Sequence, residues 1–199
     1  MSKRVLIVGA NGLIGSRVAS ELEARGHEIV RASRSSGEQV DLLDIDSIAS
    51  LYERIGTVDA VVAAAGVVPF KPFTELTVDD FRAGLTDKAL GQIALVTLGH
   101  AHVSAGGSFT LTSGVLADQV VATGAAASAV NGALNSFVIA AATGLPQDQR
   151  INAVSPNVLL EAESYHSSFP GFVPVPAADV VQAYIRAVEG VETGRVFSV

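Results

Sequence analysis

The chain contains no cysteine, so disulfides, thiolate metal sites and thiol nucleophiles are all excluded. Lysine is scarce, with only Lys3, Lys71 and Lys88 present, and the net charge is −7. Nucleic-acid binding needs clustered Lys and Arg to neutralise phosphates, so no nucleic-acid partner is expected and a small-molecule partner is. Long apolar runs are missing too. The start, Met1-Ser2-Lys3-Arg4 before Val5-Leu6-Ile7-Val8, imitates the charged region of a signal peptide, but the apolar stretch stops at Gly9. No segment approaches the roughly 18 unbroken apolar residues of a membrane span, so no membrane partner is expected and the sequence reads as cytoplasmic. The carboxylates are scattered without metal-ligand spacing, and no metal site is expected.

What the chain has is apolar content, 49% hydrophobic against 17% charged over 199 residues, which suits a sheet buried on both faces. The length fills one core and is short for two, so residues 1–199 read as a single domain. Short apolar runs at 5–8, 28–32, 58–63, 108–111, 151–154 and 196–199 predict strands. Between them, helical spacing predicts helices at 12–25, 47–55, 80–103, 124–143 and 178–189. Regular alternation of this kind predicts an α/β, three-layer Rossmann fold, with a doubly wound parallel sheet of about seven strands reached by right-handed crossovers.

The first strand meets the first helix through Gly9-Ala10-Asn11-Gly12-Leu13-Ile14-Gly15. In that context a glycine-rich loop binds a pyrophosphate. Gly9 permits the tight turn, Gly12 admits close backbone approach, and Gly15 allows the helix to pack on the strand. The helix N-terminus adds oriented N–H groups and partial positive charge. An NAD site carries an acidic residue near the end of the second strand, for the ribose 2′-hydroxyl. Here the chain reads Arg31-Ala32-Ser33-Arg34-Ser35-Ser36 instead. Ser33, Arg34 and Ser35 stand where a 2′-phosphate would sit, and a guanidinium matches phosphate geometry, so NADP(H) is favoured over NAD(H). An ordinary solvated loop is the alternative. Arg34 is the stronger candidate, since Arg31 can point outward.

Further segments, in order, resemble the short-chain dehydrogenases/reductases along nearly the whole chain. Asp41-Leu42 resembles the segment whose carboxylate and following N–H bind the adenine ring. Ala63-Ala64-Ala65-Gly66 is similar to the family's Asn-Ala-Gly motif, with alanine in the asparagine place. Leu111-Thr112-Ser113 resembles the strand that ends in the catalytic serine. Residues 150–158, including Pro156, Asn157 and Val158, resemble the sixth strand and the turn beside the nicotinamide, and Thr193-Gly194-Arg195-Val196 the final turn and strand.

The resemblance departs at the proton-transfer groups. Matching Ser128-Ala129-Val130-Asn131-Gly132 to the helix after the family's Tyr-x-x-x-Lys puts Thr123 in the tyrosine position and Ala127 in the lysine position. A threonine hydroxyl is a far weaker acid than a phenol, so it does not inherit the role. Lys88-Ala89-Leu90-Gly91 matches the family's Asn-x-x-Gly with lysine replacing asparagine, which would deliver an ammonium from the opposite wall. The alternative is a snorkelling surface lysine. Tyr165 and His166 fall in residues 158–176, where relatives carry a substrate-covering loop, and such a pair either donates protons or merely decorates the loop.

The expectation is therefore an NADP(H)-dependent oxidoreductase acting on a small carbonyl or hydroxyl compound, with Ser113, Lys88 and Thr123 as candidate catalytic residues. The alternative is an NADP(H)-binding sensor of the same fold without turnover, because fold does not settle function. A methyltransferase also begins with a glycine-rich strand-helix turn, but Arg34 and the Ser-Pro-Asn of residues 155–157 disfavour it. Family habit implies a homo-oligomer.

Overall fold

The computed structural model describes residues 2–199. β1 (Arg4–Val8) is buried from Val5 onward, as a central strand covered on both faces must be. The chain turns through Gly9 into α1 (Leu13–Ala24), where Gly15, Val18, Ala19 and Leu22 recur at helical spacing and form the buried stripe. β2 (Glu28–Ser33) pairs parallel with β1, and a two-residue strand, β3 (Glu38–Gln39), pairs beyond it. α2 (Ile45–Ile55) starts where the Asp44 carboxylate accepts the Asp46 N–H and stops at Gly56, whose φ of 68° is accessible without a Cβ. β4 (Val58–Ala63) follows.

The next helical run begins at Thr77, which exchanges hydrogen bonds with Asp80 in a capping box. It comprises α3 (Val78–Gly84), a π-helical stretch (Leu85–Leu90) and α4 (Gly91–Gly99). A π turn admits an extra residue and re-aims the side chains on it, and Lys88 lies in this one. Then come β5 (Val103–Thr112), α5 (Ala125–Ala141), β6 (Arg150–Ser155), the short α6 (Glu163–His166), α7 (Ala177–Glu189) and β7 (Arg195–Ser198).

All strands are parallel, in the order β3-β2-β1-β4-β5-β6-β7. Leu51 of α2, Leu95 of α4 and Leu134 of α5 share one core, while Val18 and Leu22 of α1 share the other with Val180 and Tyr184 of α7. The three-layer, doubly wound architecture expected from the alternation is therefore present. Strand order reverses between β1 and β4, and the crevice above such a reversal is where α/β sheets receive ligands.

Most element ends agree with the expectation to within two residues, and the differences below carry a physical reason or shift a whole element. The long helix ends at Gly99 rather than 103, because the His102 carbonyl accepts the Val58 N–H and Val103 pairs with Val58. Sheet pairing outcompetes the helical period there, and β5 becomes ten residues long, with a register shift between Val58 and Ala60. β7 lies one residue earlier than expected, at Arg195–Ser198. Both β3 and α6 went unforeseen because two and four residues are too short to display a period.

Candidate active site

At the C-terminal edge of the sheet the glycine loop is dictated by close approach. A Cβ on Gly9, where φ is 87°, would stand 2.4 Å from the Ala64 carbonyl oxygen, and one on Gly15 would stand 2.2 Å from that of Gly9. Gly12 opens α1 without any side-chain cap, so the first-turn N–H groups are left for an anion. Leu13, Ile14 and Gly15 offer those backbone groups and do not line the recess above with their side chains.

That recess, about 320 Å³, runs from Gly9, Asn11 and Gly12 to Ser33, Arg34 and Ser35 on one side. On the other it reaches Asp41, Leu42, Ala64, Ala65 and Gly66. Ala63 is fully buried at the end of β4 and contributes no surface. The Asn11 amide donates to the hydroxyls of Ser33 and Ser36, tying the glycine loop to the turn after β2. The Ser33 hydroxyl also accepts the N–H groups of Ser35 and Ser36, which fixes the turn's shape. The two arginines separate as the sequence suggests. Arg31 forms a two-pronged pair with Glu23, while the exposed Arg34 makes no hydrogen bond or ion pair among the described residues. Asp41 accepts the Leu43 N–H, and Gly91 of α4 packs directly on Leu42.

A second recess of about 260 Å³ joins the first at Gly66 and Val67. Lys88 and Ser113 line it, as do Pro156, Asn157 and Val158. The Lys88 ammonium donates at 2.7 Å to the Ser113 backbone carbonyl and at 2.7 Å to Asn131 Oδ1. Its stem crosses Gly66, where a Cβ would come within 2.6 Å of Lys88 Cγ, so the glycine is required by the lysine. Burial pushes the ammonium down to about 8 from the ordinary 10.5. Lys88 is therefore not a snorkelling surface lysine. Below it, the buried Gln92 donates to the carbonyls of Ala65 and Thr112 and accepts the Thr112 N–H, bracing β4 against β5.

The remaining expected site residues divide. Ser113 is 2% exposed, and its hydroxyl makes only a long contact, 3.5 Å, to the Val154 carbonyl, which leaves it available to a ligand. Thr123 lines neither recess, and its buried hydroxyl has no hydrogen-bond partner among the described residues. The candidate catalytic role of Thr123 thus lacks a geometric basis: the chain turns at Val121 to Gly124 before α5 starts. Ala127 does line the second recess. Asn131 was not foreseen as a partner of Lys88, since the two are 43 residues apart and no local spacing links them. Tyr165 lines the second recess, whereas His166 turns its Nε2 to the Leu159 carbonyl. Among the described residues no cluster of His, Asp and Glu could hold a metal ion, and no helix is long and apolar enough to cross a membrane.

Comparison with known proteins agrees with this geometry. The family described as Enoyl-(Acyl carrier protein) reductase matches residues 9–188. Trihydroxynaphthalene reductase PfmaI of Pestalotiopsis fici is 26% identical, across 86% of this chain and 70% of its own length. L-xylulose reductase of Mesocricetus auratus is 27% identical, across 79% and 72%. Among solved structures, the protein lin1944 from Listeria innocua superimposes with a TM-score of 0.97 at 42% identity, covering both chains fully. A small-chain dehydrogenase in complex with NADPH superimposes with a TM-score of 0.88 at 27% identity, over 100% of this chain and 97% of that one. With the family match spanning most of the sequence and the sheet, glycine loop and serine strand in place, the chain belongs to the short-chain dehydrogenase/reductase family of oxidoreductases.

Proposed function

We propose that the protein is an NADP(H)-dependent oxidoreductase that interconverts a small apolar carbonyl compound and its alcohol. The observation that carries this reading is the continuity of the two recesses at Gly66 and Val67. One end offers an uncapped helix N-terminus and an Arg34 without a partner among the described residues, and the other a serine hydroxyl and a buried ammonium. The NADPH-bound relative supports the assignment of the first end.

Gly9, Asn11, Gly12 and the first-turn N–H groups of Leu13, Ile14 and Gly15 would hold the pyrophosphate. Ser33, Arg34 and Ser35 would hold the 2′-phosphate, Asp41 and Leu42 the adenine, and Ala64, Ala65 and Gly66 the adjoining ribose. Pro156, Asn157 and Val158 would flank the nicotinamide. When bound, the cofactor supplies or accepts a hydride. Ser113 orients the carbonyl oxygen through its hydroxyl. Lys88 spends two of its three N–H groups on Ser113 and Asn131, and the third is free for a ribose hydroxyl. The apolar walls, Val68, Phe70, Val115, Leu116 and Phe169, exclude water from the reacting atoms and select an apolar substrate.

Calorimetry with NADPH and NADH tests the reading. NADPH should bind at least about tenfold more tightly, about 1.4 kcal/mol, and Arg34→Ala should erase the difference. Equal affinities for the wild type would overturn the Arg34 assignment. A second reading, binding without turnover, is favoured by one feature: Thr123 and Ala127 stand in the sequence where the family's tyrosine and lysine are expected. Tight NADPH binding with no reduction of any aldehyde, ketone or quinone would select it.

A further inference from the structure

Carbonyl reduction adds a hydride to carbon and a proton to oxygen, so a cleft without a tyrosine at position 123 must find its acid elsewhere. The polar side chains lining the second recess are those of Lys88, Ser113, Asn131, Asn157 and Tyr165. The amides are not acids at neutral pH, and the serine hydroxyl is far too weak. Two of the ammonium's protons are committed to Ser113 and Asn131, and the third is the one assigned above to a ribose hydroxyl, so the ammonium is taken as a binding group and not as the acid. Tyr165 alone presents a phenol. The other two tyrosines are spent in the core, Tyr52 donating to the Leu95 carbonyl and Tyr184 bonded to the Thr112 hydroxyl, both essentially without solvent contact.

The segment carrying Tyr165 is held in place rather than merely draped. On one side of it, His166 Nε2 is 2.9 Å from the Leu159 carbonyl oxygen. Beyond it, Phe169 is buried in a small apolar cluster with Leu116, Ala127 and Val158. The Tyr165 ring meets the edge of Phe70 at 5.8 Å, and Phe70 meets Phe169 at 6.1 Å. Alanine at position 127 is part of the cluster that seats the segment. The tyrosine hydroxyl has no protein partner among the described residues, and the residue is about half exposed, so its proton can be replenished from solvent.

We propose that Tyr165, presented by α6, is the catalytic acid of the cleft, giving its phenolic proton to the carbonyl oxygen of an apolar substrate. The proposal rests on the oxidoreductase reading above. With a bound cofactor supplying the hydride to the carbon, the carbonyl oxygen would keep the π pair and take the Tyr165 proton, and water would then reprotonate the phenolate. Alcohol oxidation runs the same steps in reverse.

The probe is β-tetralone, a bicyclic ketone with a largely apolar surface like the recess walls, with NADPH as reductant. Tyr165→Phe keeps the ring and its packing, so it should melt with the wild type and bind NADPH equally. Its kcat should fall by about 10²–10⁴-fold, the range for a lost general acid, with KM little changed. A second measurement keeps the native sequence: fluorotyrosine replaces tyrosine throughout, making the phenol more acidic. Titratable groups on the surrounding elements are Lys88 and Asp87, Lys71 with its partner Asp80, Asp118, Glu161, Glu163 and His166, and fluorotyrosine alters none of them. In kcat/KM, Lys88 sets a first alkaline limb near its lowered value of about 8, which fluorotyrosine leaves in place; the further limb above it, absent in Tyr165→Phe, is the readout and should move to lower pH. A readout independent of turnover is the tyrosinate absorbance step that Tyr165→Phe removes, since burial holds the phenols of Tyr52 and Tyr184 above the ordinary range. β-Tetralone added to the NADP⁺ complex should move that step to higher pH, because a phenol donating a hydrogen bond holds its proton. Undiminished turnover in Tyr165→Phe, or an unmoved further limb with fluorotyrosine, overturns the proposal. So does a wild type that binds NADPH but reduces no ketone, which leaves the cofactor assignment standing. A wild type that binds no NADPH removes the oxidoreductase reading beneath it as well.

Discussion

Lys88→Met isolates what the buried ammonium costs the fold. The side chain keeps some contact with the cleft, but its charged end is enclosed, and burial lowers its pKa from 10.5 to about 8. At about 1.4 kcal/mol per pH unit, the charged form is disfavoured by about 3 kcal/mol, an upper figure because cleft water screens part of it. The folded-state value lies below the unfolded one, so between pH 8 and 10.5 the unfolded chain holds a proton that the folded chain has released. Wild-type stability attributable to this group therefore rises with pH through that window and carries its full penalty below it. Methionine has a similar stem and no charge, so its variant has no such dependence. Urea unfolding of both proteins should show the wild type gaining about 2 kcal/mol on the variant between pH 7 and pH 9.5. Parallel pH profiles would refute the argument, since they would mean that the ammonium is solvated. On the oxidoreductase reading proposed above, the same substitution should abolish turnover without unfolding the protein.

Two further outcomes follow from close packing. Gly15→Ala places a methyl group 2.2 Å from the Gly9 carbonyl oxygen, so α1 must shift away from the loop. Stability should drop by about 1–3 kcal/mol and NADPH affinity should fall with it, read by urea unfolding and calorimetry; a variant matching the wild type in both would contradict the packing argument. Ala127→Lys reinstates the residue type that the family resemblance puts there. The position is 3% exposed and belongs to the cluster with Leu116, Val158 and Phe169. The variant should lose at least about 2 kcal/mol in thermal or urea unfolding, and a loss under about half a kcal/mol would show that the segment around α6 yields easily.

The sequence by itself determined the layered α/β fold, because unbroken apolar strands and amphipathic helices each admit one way of being buried. It also determined the glycine loop, where Gly9 and Gly15 are demanded by approaches of 2.4 and 2.2 Å that any side chain would block. It distinguished Arg34 from Arg31 only as an inclination, which became definite once Glu23 was seen to occupy Arg31. Tertiary structure decided the rest. Whether Lys88 is a surface lysine or a buried one depends on a π turn, on Gly66 beneath its stem, and on Asn131 arriving from a helix 43 residues later. The resemblance puts position 123 at a catalytic place, yet in the structure Thr123 lines neither recess. Tyr165 was ambiguous in the sequence because a four-residue helix has no readable period. Its place in the cleft is set by contacts at a distance, through the Leu159 carbonyl, Phe70 and the cluster around Phe169. Periodicity records which face of an element is buried, but not which side chains from distant elements converge on one cleft.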